Sequence, residues 1–164
     1  MVLSSASSPA LIHRLLVRFW GLPEPEIIID VTGSAQDMLI DPSNEFSLRR
    51  AFKTLARLGN VWLVSAGTDT GVMKILGTAV RSIEAEGEVQ IPLIGIAPFG
   101  ATNSRELLVR HADDRCQLEL TTADVEYPQS LPTREGAPLN QNHSHFLLVD
   151  NGTAGASAWG SAAK

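Results

Sequence analysis

The run Val61-Trp-Leu-Val-Ser-Ala-Gly-Thr-Asp-Thr-Gly-Val-Met-Lys74 limits what this chain can fold into more than any other stretch. Its first four residues are apolar and rich in β-branching, the pattern of a strand covered on both faces. From Gly71 onward, Val72, Ile75, Leu76, Ala79, Val80 and Ile83 recur at helical spacing, so a helix begins at the glycines. Gly67 and Gly71 permit backbone angles and close approaches that a side chain would block. A helix start carries free N–H groups and a partial positive charge, a natural seat for phosphate or carboxylate. The Gly-x-x-x-Gly spacing matches neither the dinucleotide-binding nor the P-loop fingerprint. A tight strand-to-helix turn with no ligand satisfies the same residues.

The same grammar recurs along the chain. Ile27-Ile-Ile-Asp-Val31 reads as a strand ending in Thr32, Gly33 and Ser34. Residues 91–97 form another, with Pro92 near the start where a missing N–H is tolerated, and leave through a loop at 98–104. His145-Phe-Leu-Leu-Val-Asp150 is a further strand, followed by Asn151, Gly152 and Thr153. Between the strands lie helical patterns. Ser8 and Pro9 start a helix over 9–19 with Leu11, Ile12, Leu15, Leu16 and Phe19 as its apolar stripe. Gly21, Pro23 and Pro25 stop it. Asp41-Pro42 signals a turn, and Ser43 or Asn44 caps a helix over 45–58. Phe46, Leu48, Phe52, Leu55 and Leu58 give that helix a core face, and Gly59 ends it. A short helix is expected over 104–110.

Alternation of this kind implies right-handed crossovers and an α/β fold, a Rossmann-like open and mainly parallel sheet flanked by helices. All exit turns then lie along one edge, where open α/β sheets bind ligands. Residues 33–34, 67–71, 99–103 and 150–153 form that rim. Outside this frame, residues 1–8 are Ser-rich and read as a disordered N-terminus. Residues 111–142 lack periodicity and carry Pro128, Pro132 and Pro138, an irregular excursion. The acidic stretch 84–90 reads as solvated.

Composition removes several functions. At 164 residues the chain is one domain, and a net charge of −5 with no basic run longer than Arg49-Arg50 argues against a nucleic-acid face. A single cysteine, Cys116, excludes an internal disulfide and a cysteine metal cluster. No stretch has the apolar length to cross a bilayer, and no secretory signal is readable, so the chain reads as cytosolic. His143 and His145 alternate before a strand without a third metal ligand, and read instead as a hydrogen-bonding pair anchoring the preceding loop. Asp30 in an apolar run reads as a structural rather than catalytic residue, pointing to an edge or hydrogen-bonding a neighbouring loop. Arg105 suits a surface salt bridge, with a phosphate contact as the alternative.

Taken together the motifs resemble one family. Trp20-Gly-Leu-Pro-x-Pro, Asp30-Val-Thr-Gly33, the 61–74 run and Gly77-Thr-Ala-Val-Arg81 are similar to the N-terminal cytosolic region of melastatin-type transient receptor potential (TRPM) cation channels. So are Ile94-Gly-Ile-Ala97 and Leu139-Asn-Gln-Asn-His-Ser-His-Phe-Leu-Leu-Val-Asp-Asn-Gly-Thr153, in order over about residues 15–160. That region is of the SLOG, or LSDAT, type, a Rossmann-like fold whose members bind nucleotide derivatives.

The resemblance implies a domain over 9–164 that senses a ligand and contacts other channel domains and subunits, as in a tetramer, on the cytosolic face of a membrane, the plasma membrane being the expected one. It implies a cleft for a nucleotide derivative such as ADP-ribose, formed by Thr32, Gly33, Ser34, Gly67, Thr68, Asp69, Thr70, Gly71, Asp150, Gly152 and Thr153. Trp159, before Gly160, resembles an aromatic that packs on adenine. The family's later arginine, strands and glycine motifs are missing, so the chain reads as a truncated copy, incomplete at its C-terminus. No metal or other cofactor, nucleic-acid partner or direct membrane insertion is implied.

The enzyme alternative is a free-standing SLOG-type nucleotide-processing protein of the phosphoribohydrolase kind. Those enzymes use a P-G-G-x-G-T-x-x-E type motif that does not occur here. Asp69 and Asp150 are the well-placed carboxylates, and both read as turn residues. A third alternative leaves the rim empty and keeps only subunit contacts. On the ligand-binding reading, Gly71→Val is expected to abolish nucleotide binding with a smaller loss of stability.

Overall fold

The apolar runs become the strands β1 (Val2–Ser4), β2 (Ile27–Asp30), β3 (Val61–Ser65), β4 (Leu93–Pro98) and β5 (His145–Asp150) of one sheet. The computed structural model describes residues 1–87, 89–109 and 126–159. Cys116, with the first half of the irregular 111–142 stretch, and the residues after Trp159 lie outside them. The strand order is β1-β5-β4-β3-β2, and every pairing is parallel. This is the Rossmann-like α/β architecture expected of alternating strands and helices. The helices are α1 (Pro9–Arg14), α2 (Pro42–Leu58), α3 (Gly71–Ala85) and a short α4 (Ala156–Trp159).

The central strand shows how sequence becomes layers. Successive side chains of β3 point to opposite faces. Val61 and Leu63 join Phe52, Leu76, Val80, Ile83, Ile91 and Leu93 beneath α2 and α3. Trp62 and the partly buried Val64 join Leu16, Leu22, Ile94 and Leu147 on the other face, beneath the N-terminal helical segment. Each fully buried aliphatic side chain contributes roughly 1.5–3 kcal/mol, so a strand buried on both faces can be wholly apolar. The indole of Trp62 donates to the Pro23 carbonyl at 3.0 Å, pinning the linker that leads to β2. A third cluster, Ala97, Leu139 and Leu148, fills the end of the sheet near the rim.

Several expectations from sequence change. Residues 1–8 are not all frayed: Val2, Leu3 and Ser4 pair in register with Leu148, Val149 and Asp150. The 9–19 helix is α-helical only to Arg14, then widens to a π-helical segment over Leu15–Phe19 closed by Trp20 N–H on Leu15 O at 2.9 Å. The wider turn rotates the stripe, leaving Phe19, like Leu11 before it, exposed while Leu16 is buried. The helix expected over 45–58 starts earlier, at Pro42, because Asp41 rather than Ser43 or Asn44 is the cap and accepts from Ser43 N–H at 2.8 Å. On that helix Phe52 is buried but Phe46 and Leu58 are exposed, so its core face is narrower than its apolar pattern. Glu86 of the 84–90 stretch is not merely solvated but paired with Arg49 and Lys53. The segment expected over 104–110 is a 3-10 turn at Arg105–Leu108, and Asp30 sits exposed on the edge strand β2.

Candidate functional site at the strand exits

Because the sheet is parallel, the turns after β2, β3, β4 and β5 leave from one edge. The chain closes part of that edge on itself. Thr32, Gly33 and Ser34 are exposed and lead into a loop that folds over the start of α3. Ser34 O accepts from Val72 N–H at 3.1 Å, and the Asp37 carboxylate accepts from Gly71 N–H at 2.9 Å. Two of the helix's free donors therefore already hold oxygen, one of them on an anion. Gly71 has φ +48°, and a Cβ there would collide with the Ser34 carbonyl and come within 2.9 Å of Gln36 O. Its glycine is required by the loop that covers it.

The turn between β3 and α3 is tied down from the other side as well. Thr68 and Thr70 are buried and hydrogen-bond each other through their hydroxyls at 2.9 Å. Residues 136–140 run alongside: Asp69 N–H donates to Pro138 O, and Asn140 N–H to Gly67 O. The same segment bonds the β4 exit through Ala137 N–H to Ala101 O and Asn103 N–H to Ala137 O. The Asp69 carboxylate accepts from the Asn140 side-chain amide at 2.6 Å.

Behind Asp69 lies a buried polar chain. Asn140 donates its amide N–H to a carboxylate, so its Oδ1 faces the His143 ring and accepts from Nδ1 at 3.1 Å. His143 Nε2 is then the acceptor for the Ser65 hydroxyl at 2.7 Å. The order serine, histidine, asparagine has the hydrogen-bonding sense of a nucleophile and its base. Ser65 is only 3% exposed and its Oγ also accepts from Gly67 N–H, so no substrate carbon reaches it. Burial lowers the His143 pKa to about 4, which keeps the ring neutral. His143 thus anchors the loop before β5. His145 does not share that role; it bonds Ser144 Oγ at 2.9 Å and lies against the Trp20 ring.

The remaining rim is open. Between the exits of β4 and β5 is a cleft of about 510 Å³ lined by Gly100, Thr102, Asn103, Arg105, Glu135 and Gly155, among others. Gly100 lies against the Thr153 backbone so closely that a Cβ would overlap the Thr153 carbonyl. Asp150 accepts from Gly152 N–H at 2.9 Å, and Asn151 Oδ1 accepts from both the backbone N–H and the hydroxyl of Thr153. Arg105 donates to Gly100 O and sits over the Phe99 ring, and among the described residues it forms no surface salt bridge of the kind expected of it. Trp159 is 37% exposed on α4 and does not line the cleft.

The twelve sequence candidates therefore divide. Thr32, Gly33, Ser34 and Gly71 meet at the start of α3; Gly67, Thr68 and Asp69 are held by 136–140, with Thr70 joined to Thr68; Asp150, Gly152 and Thr153 form the β5 exit beside Gly100; and Trp159 stands apart. Asp37, Asn140 and Glu135 were not among them. An acidic residue soon after Gly33 was the readable signal for Asp37. Among the described residues no group of three or more His, Cys, Asp or Glu is placed to hold a metal, and no helix is long and apolar enough to cross a membrane.

Comparison with known proteins gives a single answer. A family model described as SLOG in TRPM matches residues 1–163. The chain is 35% identical over 156 residues to transient receptor potential cation channel subfamily M member 2 of Rattus norvegicus, covering 93% of this chain and 10% of that protein. It is 32% identical over 152 residues to a subfamily M member-like 2 channel of Nematostella vectensis, covering 88% of this chain and 9% of that one. Against subfamily M member 4 of Rattus norvegicus identity is 28% over 157 residues, covering 93% and 12%. The chain spans about a tenth of the length of these relatives.

Proposed function

Because the chain belongs to the SLOG family of TRPM channels, we propose that it is a non-catalytic sensing and subunit-contact module on the cytosolic side of such a channel. Its ligand is a nucleotide derivative of the ADP-ribose kind, bound along the strand-exit rim with a phosphate at the start of α3. One observation carries this reading: the Gly71 N–H already holds an oxyanion, the Asp37 carboxylate, at 2.9 Å. A phosphate oxygen offers the same acceptor with more charge, and helix N-termini favour it. Asp37 and the loop residues 32–36 are exposed, so the loop can yield its place. The open cleft beyond Gly100 has room for the rest of such a ligand.

An enzyme is the less supported alternative. Asp69 and Asp150, the carboxylates that the sequence places in the rim turns, are each engaged in a hydrogen bond within the protein. Ser65 and His143 have suitable mutual geometry but no access.

Titrating ADP-ribose calorimetrically into the parent and into Asp37→Ala tests the proposal. Removing the internal competitor should tighten binding roughly tenfold, the worth of about one charged hydrogen bond. The uncapped helix should lose about 1 kcal/mol of stability. Equal affinities would place the phosphate elsewhere, and no binding to either protein would leave the subunit-contact role alone.

A further inference from the structure

The loop that covers the start of α3 carries a second chemical signal. Ser34 is followed three residues later by Asp37, and of all the serines and threonines in the chain only Ser34 and Thr121 have an acid at that spacing. Thr121 lies outside the described residues. A hydroxyl with a carboxylate three positions on is also the spacing of a helix capping box. That use does not apply, because no helix begins at Ser34: α2 starts at Pro42, and its cap is Asp41. The two side chains face different partners. The Asp37 carboxylate accepts from Gly71 N–H at 2.9 Å, and Ser34 Oγ accepts from Gln36 N–H at 3.0 Å.

The segment has the form that an enzyme acting on side chains needs. Residues 32–39 are all exposed and belong to neither helix nor strand, so they can be drawn out as an extended strip without disturbing the sheet. The bonds from Val72 N–H to Ser34 O and from Gly71 N–H to Asp37 open when this happens. Opening of an exposed loop lies at the low end of local unfolding free energies.

We propose that Ser34 is a phosphorylation site for a protein kinase that selects an acid three residues after its target, Asp37 being that acid, and that the added phosphate then settles at the start of α3. Ser34 Oγ attacks the γ-phosphorus of the ATP held by the kinase, the bond to the ADP oxygen breaks, the hydroxyl proton passes to the kinase's base, and ADP leaves. Charge patterns of this kind are how kinases choose among exposed hydroxyls. The product lies where an anion is favoured. Ser34 O already accepts from Val72 N–H at 3.1 Å, and Oγ is only a few bonds from that carbonyl, so the new oxygens reach the first turn of the helix. A phosphoserine carries about −1.5 to −2 charge and strong acceptor oxygens, more than Asp37 offers the same donors. The loop thus exchanges one internal anion for a stronger one. None of this depends on a ligand of the ADP-ribose kind, since no rim ligand takes part in the transfer or in its product.

The test is incubation of the full chain with ATP and casein kinase 2, an enzyme with this acid preference, followed by mapping of the modified residue by mass spectrometry. Phosphate should appear on Ser34 and vanish from that peptide in Ser34→Ala. The rate should fall on the order of tenfold in Asp37→Asn. That variant also loosens the loop, so a kinase limited by access alone would act on it faster. Phosphorus NMR of the purified product then reads the placement. A phosphoserine loses its second proton near pH 6, and in the folded chain that pKa should lie about 0.5 or more below its value in the same chain unfolded in urea. Neighbouring carboxylates push it upward, so a fall reports the donors of α3. No phosphate on Ser34, phosphate confined to Thr121, or equal rates for the parent and Asp37→Asn would overturn the kinase assignment. A phosphate pKa equal to or above that of the unfolded chain would overturn the placement at α3.

Discussion

Gly71→Val should destabilise the folded protein on the order of 4 kcal/mol, measurable as a large fall in the urea midpoint. The residue has φ +48°, in the left-handed region that costs an ordinary residue about 1–2 kcal/mol and a β-branched one more. Its Cβ would also drive into the Ser34 carbonyl and crowd Ala35 and Gln36. These are backbone atoms, so relief requires the loop to move, breaking the bonds from Gly71 to Asp37 and from Val72 to Ser34. Against a typical domain stability of about 5–15 kcal/mol that loss is severe. Gly71→Ala should cost nearly as much, because the first carbon is the one that collides. Sequence alone places the main penalty on ligand binding; the covering loop moves it to stability. A midpoint close to the parent's in both variants would mean that the loop does not lie on α3.

Lowering the pH from 7 to 4 should remove stability on the order of 3 kcal/mol through His143. Its pKa falls from 6.5 to about 4 on folding, chiefly because burial penalises the charged ring. A group whose folded pKa is depressed is protonated more readily in the unfolded chain. Its contribution is therefore complete above about pH 6.5 and is lost progressively as the pH falls toward 4. The sign is that of a buried neutral base, opposite to a histidine held in an ion pair. Thermal melts across this range should show the loss in the parent and a flatter acid limb in His143→Gln, whose amide has no proton to gain. Identical acid limbs would assign the loss to carboxylates instead.

Much of this architecture could be read from residue patterns. The 61–65 and 145–150 strands, the 71–85 helix and the common rim follow from apolar runs, glycine turns and helical spacing, all of them local signals. The unread parts are held by partners distant in sequence. β1 has three residues, too few for a period, and exists only because β5 offers an edge. Asp37 sits in a polar loop with no pattern of its own, and only the nearness of α3 makes it a cap. The 136–140 segment looks irregular because its hydrogen bonds go to turns some 35 and 70 residues back. The resemblance to a family supplied the ligand candidates. It did not show which of them the chain already occupies with its own oxygens.

The strand order has a kinetic consequence. β2, β3 and β4 are neighbours in both sequence and space, and their pairings close after one helix each. β1 must wait for β5, since Val2 finds its ladder partner only at Leu148. Pairings across so long a stretch of chain form late, because the closure entropy is spent before any contact repays it. With three residues, β1 also has little to hold it once formed. It should be the last strand to acquire hydrogen-exchange protection during refolding and the first to lose it, while the β2-β3-β4 core stays closed.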